Sequence, residues 1–342
     1  NKKRVKKGEG EFQMLLERAY KEISQTSLNI LYDNYKLISH FKGLRQYMLL
    51  GQGDFIRHLM DVLSKQLDKP ADKVAKHIVV PLLETAIRST NAQYDDPDVL
   101  NLVDVRLLEC SINETGWDVF TLAYRITGPI STIFTPVSQQ LYLKLFKHLW
   151  RSKRMEYILK NIWTNQVFLT KYQILIPDLK SAFHSTNTLL SEMIHFVQQM
   201  NYYFTFDVIE CQWVQLLTEL QNPKDVDWLI KSHNQFLHQV IIRSFLDEEM
   251  QELADQYRAI CDNVLDFQSH LESLWKVIED EIQRRIDFAL ELKEEKVKPN
   301  DKTEMERREL FVNETIPKAK SKVFMFARTF QELIQKFLVM LA

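Results

Sequence analysis

Residues 48–61 read Met-Leu-Leu-Gly-Gln-Gly-Asp-Phe-Ile-Arg-His-Leu-Met-Asp and mark a change of direction between two helices. An apolar helical run ends at two closely spaced glycines, and a second apolar run begins after Asp54. Glycine just past a helix suits the left-handed position that a side chain makes costly, so Gly51 is predicted to end the first helix. Asp54 is predicted to cap the next helix by accepting a backbone N–H. The segment is therefore predicted to be a helix–corner–helix unit.

The rest of the chain is also predicted to be mainly helical. None of the seven glycines lies beyond Gly128, and the remaining sequence is rich in leucine, phenylalanine, glutamine, glutamate and lysine. Such a composition favours long helices with short connections. Thr135 is the predicted N-cap of one of them, with Pro136 at its first position. The predicted helices after this point cover residues 137–165, 180–204, 206–221 and 224–295, and about 246–295 of the last is predicted to be one helix.

Residues 101–135 have a different pattern, which predicts β-structure. Val103, Val105 and Leu107 alternate with other residues, and 116–126 is β-branched and aromatic. Turn residues at 113–116 separate the two runs, and a third candidate strand covers 130–134. The predicted fold class is therefore mainly α, with elongated helical bundles and one small antiparallel hairpin or sheet near residues 103–134.

The sequence predicts four consecutive parts within the chain. Residues 11–165 form a first helical part with the small sheet, and 166–292 form a second helical part. Residues 293–322 are dense in charge and poor in apolar side chains, which predicts a loop or disordered insertion. Residues 323–342 form a final helix. The chain begins with Asn1 rather than methionine, so we expect a fragment of a longer protein.

Composition argues against several classes of partner. The chain has 342 residues and a formal net charge of −2, so no global field attracts nucleic acid or an anionic membrane. No apolar run approaches the roughly 18 residues that a membrane span needs. The three cysteines are far apart and form no Cys-x-x-Cys pair, which favours a reducing cytosol. Recognition of a partner must therefore be local.

The motifs of catalysis and of cofactor binding are absent. A dinucleotide fingerprint that uses Gly51 and Gly53 would need glycine at position 56, which is Ile56. His233 and His238 are five residues apart and fall on different faces of a helix, so they do not form a metal pair. No nucleophile motif is present. We therefore expect no catalytic, cofactor-binding or metal-binding residues, and no enzyme.

Residues 150–157 form a basic cluster that is open to two interpretations. Arg151 and Arg154 are three residues apart and share a helix face. They are either solvated charges beside an intrahelical pair of Lys153 with Glu156, or a docking face for an acidic protein surface. The aromatic run at 201–208 is predicted to be core at a junction between two helices.

Several stretches together resemble the family of gamma-tubulin complex components, and its component 3 branch in particular. The resemblance covers roughly residues 11–275, with the stretches in the family's order. These stretches are residues 49–61, 83–88, 90–93, 104–109, 115–120, 128–130, 134–135, 149–159, 192–196 and 202–206. The Gly-Gln-Gly-Asp-Phe corner is their most recognisable part.

This resemblance implies a function that composition does not. Such proteins are stacked helical bundles whose C-terminal (grip) half, the part present here, binds gamma-tubulin. Component 3 pairs with component 2, and these units assemble into a ring that templates microtubules at centrosomes and spindle poles. The resemblance implies a non-enzymatic scaffold. GTP or GDP is expected on gamma-tubulin and not on this chain. The family's N-terminal half and its short terminal strand are expected to be missing from this chain.

The expected gamma-tubulin contacts lie at the corner, at the sheet tips and on the basic cluster. The candidates are Gln52, Asp54, Phe55, Arg57, His58, Asp118, Phe134, Thr135, Arg151 and Arg154. For Phe55, a place in the core is an equally simple interpretation. Two other functions stay open at this point, which are a helical tether or adaptor for another cytosolic protein and an enzyme with a non-obvious site.

Overall fold

The computed structural model describes residues 2–109, 114–171, 176–293 and 302–341, with side chains from residue 13 onward. Over these residues the fold is mainly helical with one two-stranded antiparallel sheet, which confirms the predicted fold class. The α-helices are α1 (Lys2–Asn29), α2 (Leu37–Gly43), α3 (Gly53–Leu67), α4 (Lys76–Arg88), α5 (Pro97–Leu100), α6 (Gly116–Val119), α7 (Pro136–Thr170), α8 (Leu179–Tyr202), α9 (Cys211–Gln221), α10 (Val226–Arg243), α11 (Gln251–Lys293), α12 (Lys302–Leu310) and α13 (Ile316–Leu341).

Some helices continue through short stretches with wider, π-helical hydrogen bonding. One of them, Tyr203–Glu210, joins α8 directly to α9. The prediction of a junction between helices at 201–208 is therefore wrong, because the helical path does not break there. The predicted core role is confirmed for Phe204 and Val208, which are buried, but not for Tyr202 and Phe206, which are exposed. The ring of Phe245 stacks on Tyr203 at 5.7 Å and meets Phe204 edge-on at 5.8 Å, so these aromatic contacts support the wide turn.

The described residues pack as two compact units. Unit 1 comprises Asn1–Arg151 and Tyr202–Asp247, and unit 2 comprises Ser152–Asn201 and Glu248–Ala342. The units interleave along the chain, whereas the sequence predicted the consecutive parts 11–165 and 166–292. The difference has a simple cause, since the 35-residue helix α7 contributes residues to both units.

The small sheet lies in unit 1 and pairs β1 (Val103–Leu107) with β2 (Phe120–Tyr124). The strands are antiparallel, with Val105 opposite Leu122. The side chains of this pair are buried, whereas Arg106, on the other face of β1, is exposed. Alternation of this kind is typical of a sheet with one face on the core and the other toward solvent.

Two of the three predicted strand segments are shorter or absent. Residues 116–119 form the helical turn α6 instead of strand, because Thr115 and Asp118 cap each other's backbone and hold a helical start. The segment at 130–134 is not a strand either. Gly128 has a left-handed φ of 77° and opens the 3₁₀ turn Gly128–Thr132. The predicted turn at 113–116 lies partly outside the described residues.

The core of unit 1 has an aromatic cluster around Trp150, which is 2% exposed. Its ring centroid lies 5.0 Å from that of Phe120, 5.6 Å from Phe146 and 5.8 Å from Trp117. The cluster joins α7 to β2 and α6. Burial of large rings against one another is the main stabilising contribution that this part of the fold can make.

The core of unit 2 is formed largely by α11 and α13. Phe267 on α11 meets Phe326 on α13 at 5.8 Å between ring centroids, and Phe330 on α13 is fully buried. A buried polar network completes this core, since the Ser152 hydroxyl is 2.9 Å from Asn201 Oδ1 and 2.8 Å from Tyr257 Oη. The predicted single helix at about 246–295 is present as α11, Gln251–Lys293.

The prediction of a loop or insertion at 293–322 is wrong for its described part. Residues 302–322 are helical, and α13 begins at Ile316 rather than at residue 323. Ion pairs explain why so charged a segment folds. The Glu304 carboxylate accepts from Arg307 and Arg308 at 2.7 Å, and Arg307 also pairs with the buried Glu281 of α11. The rest of the predicted insertion, 294–301, lies outside the described residues.

Acid is expected to weaken this part of unit 2 through Glu304. The hydrogen bond from Arg307, followed by that from Arg308, lowers the pKa of Glu304 to about 2 despite an opposing effect of burial. A lowered pKa stabilises the folded state above pH 5 or so, and this contribution is lost as the pH falls toward 2. Because solvent screens such pairs, we expect a loss on the order of 1 kcal/mol.

Urea unfolding of the wild type and of Glu304→Gln at pH 7 and at pH 3 measures this contribution. The two proteins should differ more at pH 7 than at pH 3, because part of the contribution of Glu304 is already lost at pH 3. Glu314→Gln, which changes an exposed carboxylate paired with Lys318, is the matched control. Equal differences at both pH values would rule out Glu304 as a source of acid sensitivity.

Candidate partner-binding surface

The corner at 48–54 is closed by backbone hydrogen bonds and by one strained residue. Gly51 N–H donates to Arg45 C=O at 3.0 Å, and Gln52 N–H donates to Gln46 C=O at 3.1 Å. The left-handed residue is Leu50, with φ of 54°, and not Gly51 as predicted. Leu50 is 7% exposed, so burial of its side chain offsets the backbone cost.

Gly51 is needed at the corner for a different reason. A Cβ atom on Gly51 would lie 2.8 Å from Arg45 C=O, and backbone cannot easily move away. A Cβ on Gly53 would meet nothing within 4 Å. The first glycine therefore permits a close approach of two backbone segments, while the second is only the first residue of α3.

These two glycines are expected to respond oppositely to substitution. Gly51→Ala should destabilise the fold by about 1–3 kcal/mol, because the new methyl group overpacks the corner. Gly53→Ala should be neutral or stabilise by up to about 1 kcal/mol, because alanine favours a helical backbone. Thermal unfolding of both variants, followed by circular dichroism, measures the difference. Two equal effects would show that close packing at Gly51 does not control the corner.

Helix α3 presents one face to the core and the other outward. Phe55, Leu59 and Leu63 are fully buried on the inner face. Asp54 and Arg57 are exposed and His58 is half-buried on the outer face, as their spacing of three and four residues requires. Asp54 does not cap its own helix, since its carboxylate accepts from Asn91 N–H at 3.1 Å.

The corner holds a second segment, the short turn Asn91–Tyr94. Oriented to satisfy its neighbours, the Gln52 amide accepts from Ala92 N–H at 3.0 Å and donates to Asp95 at 3.2 Å. Tyr47 Oη donates to the same Asp95 carboxylate at 2.5 Å, and burial followed by this bond raises the pKa of Tyr47. The corner and the turn are thus fixed to each other.

Tyr94 is the residue that sequence reasoning missed. Its side chain is 80% exposed, the highest fraction among the large apolar residues described. The signal was an aromatic residue inside a run of turn-forming residues, Asn-Ala-Gln-Tyr-Asp-Asp-Pro at 91–97. We call the group of Gln52, Asp54, Arg57, His58 and Tyr94 the corner surface.

The predicted contacts Phe55 and Phe134 are core residues. Both are fully buried. The Phe55 ring lies 5.2 Å from Tyr47, and the Phe134 ring lies 4.8 Å from Phe41. Side chains enclosed in this way stabilise unit 1 and offer no surface to a partner. Sequence spacing did not reveal this, because both lie beside turns where exposed aromatics also occur.

The predicted contacts at the hairpin and on α7 make internal bonds. The Asp118 carboxylate accepts from Thr115 N–H at 3.2 Å and from Thr115 Oγ1 at 2.8 Å, and it pairs with Arg151 at 3.4 Å. Thr135 accepts from Ser138 N–H at 3.3 Å, which supports its predicted role as the N-cap of α7. These groups hold the hairpin and α7 in place.

Arg154 lies on α7 within unit 2 and is half-buried. Near it, Lys153 donates to Glu156 at 2.8 Å, which confirms the predicted intrahelical pair. The corner surface therefore unites four of the ten predicted contacts, Gln52, Asp54, Arg57 and His58, with Tyr94.

The ionisable groups with perturbed pKa values point to structure rather than to chemistry. Burial lowers the pKa of His233 to about 4, and its Nε2 meets Tyr142 Oη at 3.0 Å. The hydrogen bond from Lys36 lowers the pKa of Asp96. At Asp104, burial acts to raise the pKa, but hydrogen bonds and nearby cations, Lys76 first, lower it overall. A lowered pKa is the reverse of what a general acid needs. Within the described ranges no cluster of three or more His, Cys, Asp or Glu is arranged to bind a metal.

The long helices also differ from those that cross a bilayer. Across the parts of the chain that the structure describes, none combines the length and the apolar character that a membrane-spanning helix requires.

Comparison with known proteins places these features in a family. The chain is 41% identical over 340 residues to a gamma-tubulin complex component 3 homolog of Xenopus laevis, across 97% of this chain and 37% of that protein. It is 40% identical over 339 residues to gamma-tubulin complex component 3 of Homo sapiens, with the same coverage. Spindle pole body component alp6 of Schizosaccharomyces pombe is 37% identical over 268 residues, across 76% of this chain and 32% of that protein.

The chain therefore spans little more than a third of the length of the Xenopus laevis and Homo sapiens relatives. The model of the C-terminal region of gamma tubulin complex components matches residues 37–342. That match covers unit 2 and the part of unit 1 from residue 37 onward, which contains the corner surface and the small sheet. The chain belongs to the family of gamma-tubulin complex components and corresponds to the C-terminal region of its component 3 branch.

Proposed function

We propose that this chain binds gamma-tubulin through the corner surface and acts as a scaffold subunit of the gamma-tubulin complex in microtubule nucleation. The observation that carries the proposal is the match of residues 37–342 to the C-terminal region of gamma-tubulin complex components. The relatives bear the names of complex and spindle pole body components, which supports a scaffold role.

The corner surface supports this assignment because it combines rigidity with suitable chemistry. Its exposed tyrosine and arginine, Tyr94 and Arg57, are of the residue types that dominate the energy of protein interfaces. The bonds from Asp54 to Asn91 and from Gln52 to Ala92 fix the surface before any partner arrives. Preorganisation lowers the entropy that binding would otherwise cost.

The proposed mechanism is geometric rather than catalytic. Helices packed on a common core would hold gamma-tubulin in a fixed orientation, so that neighbouring gamma-tubulins meet before tubulin is added. Tubulin would then add to gamma-tubulins that are already arranged, so that several molecules need not meet at once in the correct orientation. Any GTP or GDP would be carried by gamma-tubulin, and this chain would need no cofactor of its own.

The proposal extends to partners and place in the cell. The relatives at 25–26% identity are named gamma-tubulin complex component 2, and we propose that the protein pairs with such a subunit in the complex. The site of action would be the microtubule organizing centre, at the centrosome or the spindle poles.

Size-exclusion chromatography with light scattering tests the binding. The chain is mixed with purified gamma-tubulin at micromolar concentration, and a complex with one copy of each is the expected result. Circular dichroism and thermal unfolding first establish that the chain is folded. A folded chain that elutes alone at every concentration would overturn the proposal and return the helical adaptor for another protein as the better assignment.

A further inference from the structure

Unit 1 contains a second surface feature, an open groove of about 580 Å³ beside the small sheet. Its volume lies in the range of ligand-binding clefts. Both strands contribute to it, through 104–107 and 123–127, together with Lys76 of α4 and the first turns of α7. None of the residues of the corner surface lines it. The groove is therefore separate from the surface proposed above for gamma-tubulin.

The rim of the groove is basic. Lys76, Arg106 and Arg125 lie around it, and among the described residues that line it the one carboxylate is that of Asp104. Asp104 accepts from Lys76 Nζ at 2.8 Å and also pairs with Arg125, which fixes these two cations at the rim. We call this feature, with its three cations, the basic groove. Its net positive charge contrasts with the formal charge of −2 on the whole chain.

Arg106 differs from the other two cations. It is exposed on the outer face of β1, and no ion pair or hydrogen bond to its guanidinium is found in the described part of the chain. An arginine placed on a strand beside a cleft can donate two parallel hydrogen bonds to a carboxylate. Arg106 is therefore available to an incoming anion at little cost in broken contacts.

Apolar side chains also line the groove. Leu107, Ile126 and Leu143 are half-buried there, so each still exposes some hydrocarbon surface. The aromatic side chains along the groove are buried to 94% or more, since Tyr124 is 6%, Tyr142 is 2% and Phe134 is 0% exposed. A stacking platform for bases needs accessible aromatic faces, so the lining does not suit single-stranded nucleic acid.

We propose that the basic groove binds an acidic peptide segment of a protein partner, with an apolar side chain placed against Leu107, Ile126 and Leu143. The acidic side chains would meet Arg106 and the cations of the rim. Complementary charge would steer the segment to the groove, while burial of its apolar side chain would add to the affinity.

Fluorescence anisotropy with short labelled peptides tests the proposal. The probe alternates glutamate with leucine, and two reference peptides replace either every glutamate by lysine or every leucine by serine. The wild-type chain should bind the probe most tightly, the serine peptide more weakly, and the lysine peptide not at all. Binding of the lysine peptide as tight as that of the probe would overturn the proposal.

Arg106→Glu is the decisive variant, and it should weaken binding of the probe by about tenfold or more. Arg88→Glu, at a position 81% exposed on α4 and absent from the groove, is the matched control and should bind like the wild type. Circular dichroism of both variants checks their folding. Unchanged binding by a folded Arg106→Glu protein would refute the groove as the binding site.

Two further arms distinguish a peptide-binding groove from the gamma-tubulin contact and from a general anion site. Arg57→Glu should still bind the peptide, because Arg57 lies on the corner surface and does not line the groove. The gamma-tubulin proposal and the peptide proposal can therefore fail independently of each other. A labelled single-stranded oligonucleotide is tested at the same ionic strength. If it bound as tightly as the probe and lost affinity equally in Arg106→Glu, the groove would be a general anion site and the peptide proposal would be wrong.

Discussion

Replacing Tyr94 by alanine is expected to weaken gamma-tubulin binding at least about 30-fold, because truncation of a hot-spot residue, a class enriched in tyrosine, costs about 2 kcal/mol or more. Tyr94 stands on a turn that the corner fixes through Asn91 and Ala92. Its ring is 80% exposed, so its removal from the free chain should cost little stability. The double variant with Tyr94→Ala and Arg57→Glu should form no complex with gamma-tubulin in size-exclusion chromatography with light scattering.

Matched controls make this result specific. Tyr202→Ala removes another exposed tyrosine of unit 1, and Arg88→Glu reverses another exposed arginine. Both controls should still form the complex with gamma-tubulin. If Tyr94→Ala and Arg57→Glu, alone and together, co-eluted with gamma-tubulin as the wild type does, the corner surface would not be the binding site. The family assignment would stand, and the contact would have to be sought elsewhere.

The helical architecture followed from local signals in the sequence. Thr135 and Pro136 start α7 where predicted, because N-capping and a fixed proline φ are properties of the immediate neighbours. The long helix α11 was predicted from a stretch that contains neither glycine nor proline. The two-stranded sheet was visible in the alternation of Val103, Val105 and Leu107.

The errors arose where distant residues determine the structure. The segment that contains α12 was predicted to be a loop or disordered because it is rich in charge. The sequence did not show that these charges have partners, and one partner, of Arg307, is Glu281 on α11. At the corner, local preference gave the left-handed position to Gly51, but burial of Leu50 places it one residue earlier. Neither the distant ion pair nor the buried contact has a signature in local sequence.

The candidate site was predictable in position but not in its individual side chains. The corner motif was found, yet Phe55 points into the core and Tyr94, from a separate segment, provides the exposed ring. Asp118 and Arg151 were expected at a surface, but they bond to each other. Tertiary packing decides which of several polar or aromatic residues remains exposed. Local patterns in a single sequence do not predict that packing.

The largest effect on stability is expected for Trp150→Ala, about 3–5 kcal/mol. Trp150 is 2% exposed and packs against Trp117, Phe120 and Phe146. Its removal would leave a cavity between α7 and the hairpin, and the hydrogen bond from Trp117 Nε1 to Asp68 Oδ1 at 2.8 Å limits how far that side can collapse. The melting temperature should fall on the order of 10 °C.

Two other tryptophan variants separate packing from the mere loss of an indole ring. Trp163→Ala changes a residue on the same helix that is 44% exposed, so it should cost less than about 1 kcal/mol.

Trp150→Phe keeps a ring in the cluster and removes an indole N–H that has no hydrogen-bond partner in the described part of the chain. A buried unpaired donor is unfavourable, so its loss offsets part of the lost packing, and Trp150→Phe should lie much nearer the wild type than Trp150→Ala does. Thermal unfolding of the three variants gives the order, and an alanine at 150 no worse than one at 163 would show that the aromatic cluster does not hold unit 1 together.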